Sequence, residues 1–159
     1  MIKFENFFKN YLETLHLSLN KTNIKNLELA SKTILKTIRN KKKIFVCGNG
    51  GSAAIANHYI CDYLKFFREK TNIKAQVYSF SSNIETITAI SNDISYDKIF
   101  SYQAESLCSK GDLIIIISSS GNSKNVVNLL KIAKKEKLTT IGFSGFEGGF
   151  LKKNSNISI

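Results

Sequence analysis

The sequence has no proline and no tryptophan, and only one methionine, two histidines and three cysteines among 159 residues. The missing proline carries no functional reading. Cys47, Cys61 and Cys108 stand at unrelated spacings, which argues against a disulfide framework or a cysteine zinc cluster and for reduced thiols in a cytoplasmic protein. No run of 18 apolar residues exists, so no membrane span is expected. Met1-Ile2-Lys3-Phe4-Glu5-Asn6 carries an early acid and no long apolar region, so no signal peptide is expected. Acids are scarce, 12 against 23 Lys and Arg, for a net charge of +11. Yet only Arg39 and Arg68 are arginine, the favoured reader of bases and phosphates. The lysine excess therefore reads as solvated surface, with weak steering of anionic substrates second and nucleic acid not expected as a partner.

What is there is enough for one domain spanning 1–159, with 43% apolar residues to build a core. Residues 1–20 place Phe4, Phe7, Phe8, Tyr11, Leu12 and Leu15 on one helical face. A second helix, from Thr22 or Asn23 to about Asn40, repeats Ile24, Leu27, Ala30, Ile34, Leu35 and Ile38 at helical spacing. This preface over 1–40 is expected to pack across a sheet or against another subunit. From 43 to 159 strands and helices alternate: strands at 43–47, 75–80, 112–117, 139–143 and 156–159, and helices at 53–67, 84–90, 96–108 and 124–135. That alternation predicts an α/β fold, a parallel sheet covered on both faces. Ser91-Asn92-Asp93-Ile94-Ser95 reads as a loop. His16 has no visible partner.

Two loops carry the chemistry. Ile44-Phe45-Val46-Cys47 reads as a buried strand, Gly48-Asn49-Gly50-Gly51 as a sharp turn, and Ser52 as the N-cap of the next helix. A helix start with free N–H groups and a hydroxyl suits phosphate. No Gly-Lys-Ser/Thr follows, so it is not a P-loop, and the third glycine of the dinucleotide fingerprint is absent. A tight turn without ligand fits this loop as well as an anion site does. The second loop, Ser118-Ser119-Ser120-Gly121-Asn122-Ser123, again joins an apolar strand to a helix. In a parallel sheet both loops lie at the carboxyl ends of strands, where ligands bind, and their hydroxyls suit a sugar phosphate better than a nucleotide. A serine-rich loop alone is usually a solvated turn; the pair is the more specific signal. Farther along the helix that follows the first loop, His58 and Asp62 lie four apart on one face. Such a pair can share a divalent metal, serve as a base and its orienter, or be a surface hydrogen bond.

These motifs resemble a known family. Cys47-Gly48-Asn49-Gly50-Gly51-Ser52-Ala53-Ala54 with His58, Asn92-Asp93 with Tyr96, and Ile117 to Ser123 with Asn125-Val126 are similar to a sugar-isomerase (SIS) domain, and within it to the phosphoheptose isomerases. The resemblance covers nearly the whole chain in order. It implies an SIS-type parallel-sheet αβα sandwich and a cytoplasmic homotetramer. The implied reaction turns D-sedoheptulose 7-phosphate into D-glycero-D-manno-heptose 7-phosphate through a cis-enediol, for bacterial surface heptose. It implies a cradle for phosphate from Gly50, Gly51, Ser52, Ser118, Ser119, Ser120 and Ser123, sugar contacts from Asn49, Asn92 and Asp93, zinc on His58 and Asp62, and Asp62 as the base.

Three positions depart from the family pattern. Asp62 replaces a glutamate, Ser119 a threonine and Asn83 an aspartate. The family also continues into a C-terminal helix whose glutamine and histidine complete the metal site, whereas this chain stops at Ile159, so a fragment or a shortened product is expected. The alternative reading is a non-catalytic SIS domain that binds a phosphosugar or a protein partner, of the type that associates with a replication initiator.

Overall fold

Five strand-forming runs pair side by side, and the most apolar of them, 43–48 and 113–118, lie at the sheet centre with both faces covered. In the computed structural model, which describes residues 3–159, they form β1 (Lys43–Gly48), β2 (Gln76–Ser79), β3 (Leu113–Ser118), β4 (Thr139–Ser144) and β5 (Ile157–Ser158). All neighbours are parallel, in the order β2-β1-β3-β4-β5. Alternate strand residues face opposite ways. Phe45, Cys47, Ile114 and Ile116 enter one cluster, while Ile44, Val46, Leu113 and Ile115 enter the other. The first is covered by α5 (Ile84–Asp93), α6 (Ile99–Leu107), α7 (Lys124–Lys135) and α8 (Gly149–Asn154). The second is covered by α2 (Ile24–Arg39) and α3 (Gly51–Cys61). This is the expected αβα sandwich. Burying Ile115 or Leu113 completely, as here, stabilises the fold by about 1.5–3 kcal/mol per side chain.

Several expectations change. The helix after β1 begins at Gly51, with Gly50 at its N-cap and a left-handed φ of 53°, so Ser52 is an interior first-turn residue rather than the cap. Three consecutive polar and glycine residues let the chain enter the helix earlier than a serine cap would. The predicted helix 53–67 is not uniform: α3 gives way to a π-helical stretch, Asp62–Phe67, before α4 (Arg68–Thr71). Tyr59, Tyr63 and Phe67 stack along it at 4.9 and 5.1 Å, an aromatic ladder held against the core through both helix types. Asn92 and Asp93 form the last turn of α5 rather than a loop. Past β4 the glycines frame the short helix α8 instead of a turn alone. His16 is paired, its Nε2 lying 2.9 Å from Asn20 Nδ2.

The preface divides. Asn23 caps α2 by accepting from the Asn26 N–H at 3.1 Å, and α2 buries Ala30, Thr37 and Ile38. By contrast α1 (Phe4–Asn20) buries no residue at all, and Phe4, Phe7, Phe8, Tyr11, Leu12 and Leu15 are exposed. Met1 and Ile2 of the predicted helix lie outside the described residues. A helix of this length is marginal without tertiary packing, and among the described residues it finds none within its own chain.

Candidate active site

The strand order reverses between β1 and β3. The helices that leave these adjacent strands go to opposite faces, α3 onto one and α7 onto the other, opening a crevice at their carboxyl ends. Gly48 is in register with Ile117, so the two predicted loops face each other across that crevice. A reversal of this kind is where open parallel sheets bind ligands.

The first loop is held tightly from below. Ser81 Oγ donates to the Gly48 carbonyl at 2.8 Å and accepts the Gly48 N–H at 3.2 Å. A Cβ on Gly48 would sit 2.5 Å from Ser52 Cβ, so only glycine lets α3 start this close to the strand. The Ser52 and Ala53 N–H groups are used by the Asn49 and Gly50 carbonyls. The Gly51 N–H and the Ser52 hydroxyl make no hydrogen bond among the described residues, and these are among the donors the loop offers.

The second loop is braced by α8. Gly121, at φ 65°, comes so close to the Gly148 carbonyl that a Cβ would lie 2.0 Å from that oxygen. The Leu151 N–H donates to the Gly121 carbonyl at 3.0 Å and the Phe150 N–H to Asn122 Oδ1 at 2.9 Å. Ser118 is buried and its Oγ accepts the Gly121 N–H, while Ser120 Oγ accepts the Asn122 N–H. Both hydroxyl protons therefore stay available to an anion. Ser119 is exposed, and Ser123 occupies the N-cap of α7 without a capping bond. An unused N-cap hydroxyl forgoes about 1 kcal/mol of helix stability, and it leaves Ser123 open to a ligand.

A small amide network ties the loops together. Asn49 Nδ2 donates to Asn125 Oδ1 at 3.0 Å, and Asn125 Nδ2 donates back to Asn49 Oδ1 at 2.9 Å. Tyr96 Oη donates to the same Asn49 Oδ1 at 3.0 Å. Tyr96 follows Asn92 and Asp93, whose side chains bond to each other at 2.8 Å, and its bond to Asn49 ties the segment after α5 to the crevice. The next residue, Asp97, is held below the usual carboxylate range, chiefly by the hydroxyl of Ser95. Asn125 and Tyr96 are not among the predicted site residues, although Asn125 shares the core face of its helix with Leu129, where an amide needs partners. Asn83 caps α5, accepting the Thr86 N–H at 2.7 Å.

His58 and Asp62 do meet. Nε2 and Oδ1 are 3.4 Å apart, with side chains 73% and 58% exposed. They are not beside the serine loops of the same chain: the ten residues from Ser52 to Asp62 climb about 15 Å along the helix. Among the described residues no third His, Cys, Asp or Glu joins them, so the pair alone does not fit zinc, which takes at least three protein ligands.

Known proteins share this arrangement. The model of the SIS domain matches residues 6–145. A phosphoheptose isomerase of Aliarcobacter butzleri is 42% identical over 134 residues, covering 84% of this chain and 70% of the relative. The structure of a phosphoheptose isomerase from Neisseria gonorrhoeae superposes with a TM-score of 0.80 at 31% identity, covering 97% of this chain and 83% of the other. That of a phosphoheptose isomerase from Francisella tularensis shares the fold, with a TM-score of 0.89 at 24% identity over 99% and 85% of the two chains. The chain belongs to the SIS-domain family and, within it, to the phosphoheptose isomerases.

Proposed function

We propose that this protein isomerises D-sedoheptulose 7-phosphate to D-glycero-D-manno-heptose 7-phosphate. The observation that carries the reading is the crevice between β1 and β3, where two helix starts bring together the Gly51 N–H and serine hydroxyls that donate no hydrogen bond among the described residues, Ser118 and Ser120 only accepting one. The Gly51 N–H and the hydroxyls of Ser52, Ser118, Ser119, Ser120 and Ser123 hold the phosphate beside Gly50. Asn49, Asn92 and Asp93 contact the sugar. Asp62 takes the proton from C1. The C1–C2 bond becomes double as the carbonyl oxygen on C2 gains charge, and the proton on O1 passes to O2. Protonation of C2 then leaves the aldehyde at C1. Hydrogen-bond donors facing O2 stabilise the developing charge.

The 15 Å between Ser52 and Asp62 bears on how the site is assembled. An extended seven-carbon sugar phosphate spans only ~10 Å from phosphorus to C1. We infer that loops of one copy work with Asp62 of another, and the apolar, uncovered α1 supplies a surface for that association. We infer a homo-oligomer, a tetramer as the family resemblance implies, acting in the cytoplasm in the biosynthesis of bacterial surface heptose. No helix among the described residues is long and apolar enough to cross a membrane. Zinc on His58 and Asp62 stays a proposal for the assembled protein. Dialysis against a chelator and metal add-back tests it, and no step above passes through it.

Calorimetric titration with sedoheptulose 7-phosphate tests the cradle. Ser52→Ala and Ser120→Ala should each weaken binding by about 1–3 kcal/mol, the loss of a charge-assisted hydrogen bond. Unchanged affinity in both variants would remove the phosphate from this crevice.

A further inference from the structure

We infer that Asn125 and Tyr96 are positioning residues that make Asn49 a pure hydrogen-bond donor toward the bound sugar. The inference rests on the isomerase reading above for the identity of the ligand, and on geometry alone for the lock itself.

The direction of every bond in the network follows from one backbone group. Val126 lies in the first turn of α7, where N–H groups have no helical acceptor. Its N–H lies 3.0 Å from the side chain of Asn125, so the facing atom must be an acceptor, Oδ1. That oxygen also faces Asn49 at 3.0 Å, so the Asn49 atom there must be a donor, Nδ2. The other end of the Asn49 amide is then Oδ1. Both of its lone pairs are occupied, one by Asn125 Nδ2 at 2.9 Å and one by Tyr96 Oη at 3.0 Å. Asn49 has no acceptor capacity left, and one Nδ2 proton finds no partner among the described residues. A ligand atom meeting Asn49 must therefore be an acceptor: a carbonyl oxygen, an enediolate oxygen or the lone pair of a hydroxyl.

The lock is built to resist rotation. Asn125 is 2% exposed, fixed in the wall of α7. Tyr96 is held from the same helix, since Asn128 Nδ2 donates to the Asp97 carbonyl at 2.9 Å, and the Ser95 hydroxyl braces the Asp97 carboxylate. One helix thus fixes both partners of Asn49, while Ser81 fixes the strand end just before it. A lone asparagine on a glycine turn presents its carbonyl and its amine equally well. This one presents a donor, which suits an oxygen that gains charge as a ketose becomes an enediolate.

The test uses the full chain and NMR of its side-chain amides. One Asn49 Nδ2 proton should exchange slowly and the other at the solvent rate, and Tyr96→Phe and Asn125→Ala should each shift this pair. Sedoheptulose 7-phosphate should shift the fast proton, whereas inorganic phosphate should leave it unmoved. In calorimetry Tyr96→Phe should weaken sedoheptulose 7-phosphate about 3- to 10-fold, as loss of one hydrogen bond does. The same substitution in an Asn49→Ala background should cost nothing further, which a merely structural role for Tyr96 would not produce. Two fast-exchanging Asn49 protons, or additive losses in the double variant, would overturn the inference. Should the buried Asn125→Ala variant fail to fold, the exposed Tyr96→Phe decides alone. Should sedoheptulose 7-phosphate fail to bind the wild-type protein, the isomerase reading fails, while slow exchange of one proton, and the shift of the pair in Tyr96→Phe, still decides the lock.

Discussion

Gly48→Ala should damage the site through one pair of carbon atoms. The new methyl would lie 2.5 Å from Ser52 Cβ and 2.8 Å from the Ser52 carbonyl carbon and oxygen. Carbon atoms rest at about 3.5–4.0 Å, so Ser52 and the start of α3 must retreat by roughly 1 Å or more. Overpacking of this kind costs about 1–3 kcal/mol. At this chain length that lowers Tm by roughly 2–12 °C. The same retreat carries the Ser52 hydroxyl away from the phosphate, and losing its hydrogen bond weakens sugar-phosphate binding about 5- to 150-fold. Thermal unfolding and calorimetry on one preparation measure both. Gly51→Ala is the matched control, because a Cβ there meets nothing within 4 Å and no positive φ is required. It should hold or raise Tm by reducing the freedom of the unfolded chain. Wild-type Tm and affinity in Gly48→Ala would refute the argument that close approach of strand and helix sets the first loop.

Two further outcomes are expected. Replacing Phe7 and Phe8 together with glutamate should lower the assembly mass seen by light scattering while leaving the secondary structure of the sheet domain intact; an unchanged mass would free α1 from any role in association. Stability should fall at alkaline pH. Burial holds the Cys47 thiol well above its ordinary range, and Cys108 is pushed up to about 12 by partial burial and the Asp112 carboxylate. The unfolded thiol ionises near pH ~8.5 and the folded one does not, so the contribution is full below that pH and is lost above it. The loss from Cys47 alone is about 1.4 kcal/mol per pH unit. Urea unfolding at pH 8 and 10 should show about 2 kcal/mol of it, and Cys47→Ala should flatten the slope. An equal slope in that variant would mean the buried thiol is not responsible.

Much of this was legible because the signals are local and repeat. Apolar runs at 44–47 and 113–117 declare buried parallel strands, and a small-residue loop before a helical pattern places each serine at a carboxyl end. The alternation of strands and helices does not itself say that the order reverses between β1 and β3, which turns two separate loops into one crevice. Nor could periodicity find the π-helical stretch at Asp62, since Tyr59, Tyr63 and Phe67 keep an i, i+4 spacing that an α-helix serves equally. The early helix start at Gly51 escaped because Ser52 is a better cap in isolation; the glycine φ that the turn needs won instead. The pairing of Asn125 was hidden for a different reason. Its partner Asn49 is 76 residues away, and no local pattern pairs two amides across that distance.

Isomerisation itself is measured in D2O, with sedoheptulose 7-phosphate as substrate, zinc added and products read by NMR. The account predicts an aldose phosphate carrying deuterium at C2, formed by the wild-type chain and not by Asp62→Asn, with binding retained in both. Bound sugar phosphate with no turnover would contradict it and leave a phosphosugar-binding SIS domain. Full turnover by Asp62→Asn would remove Asp62 as the base.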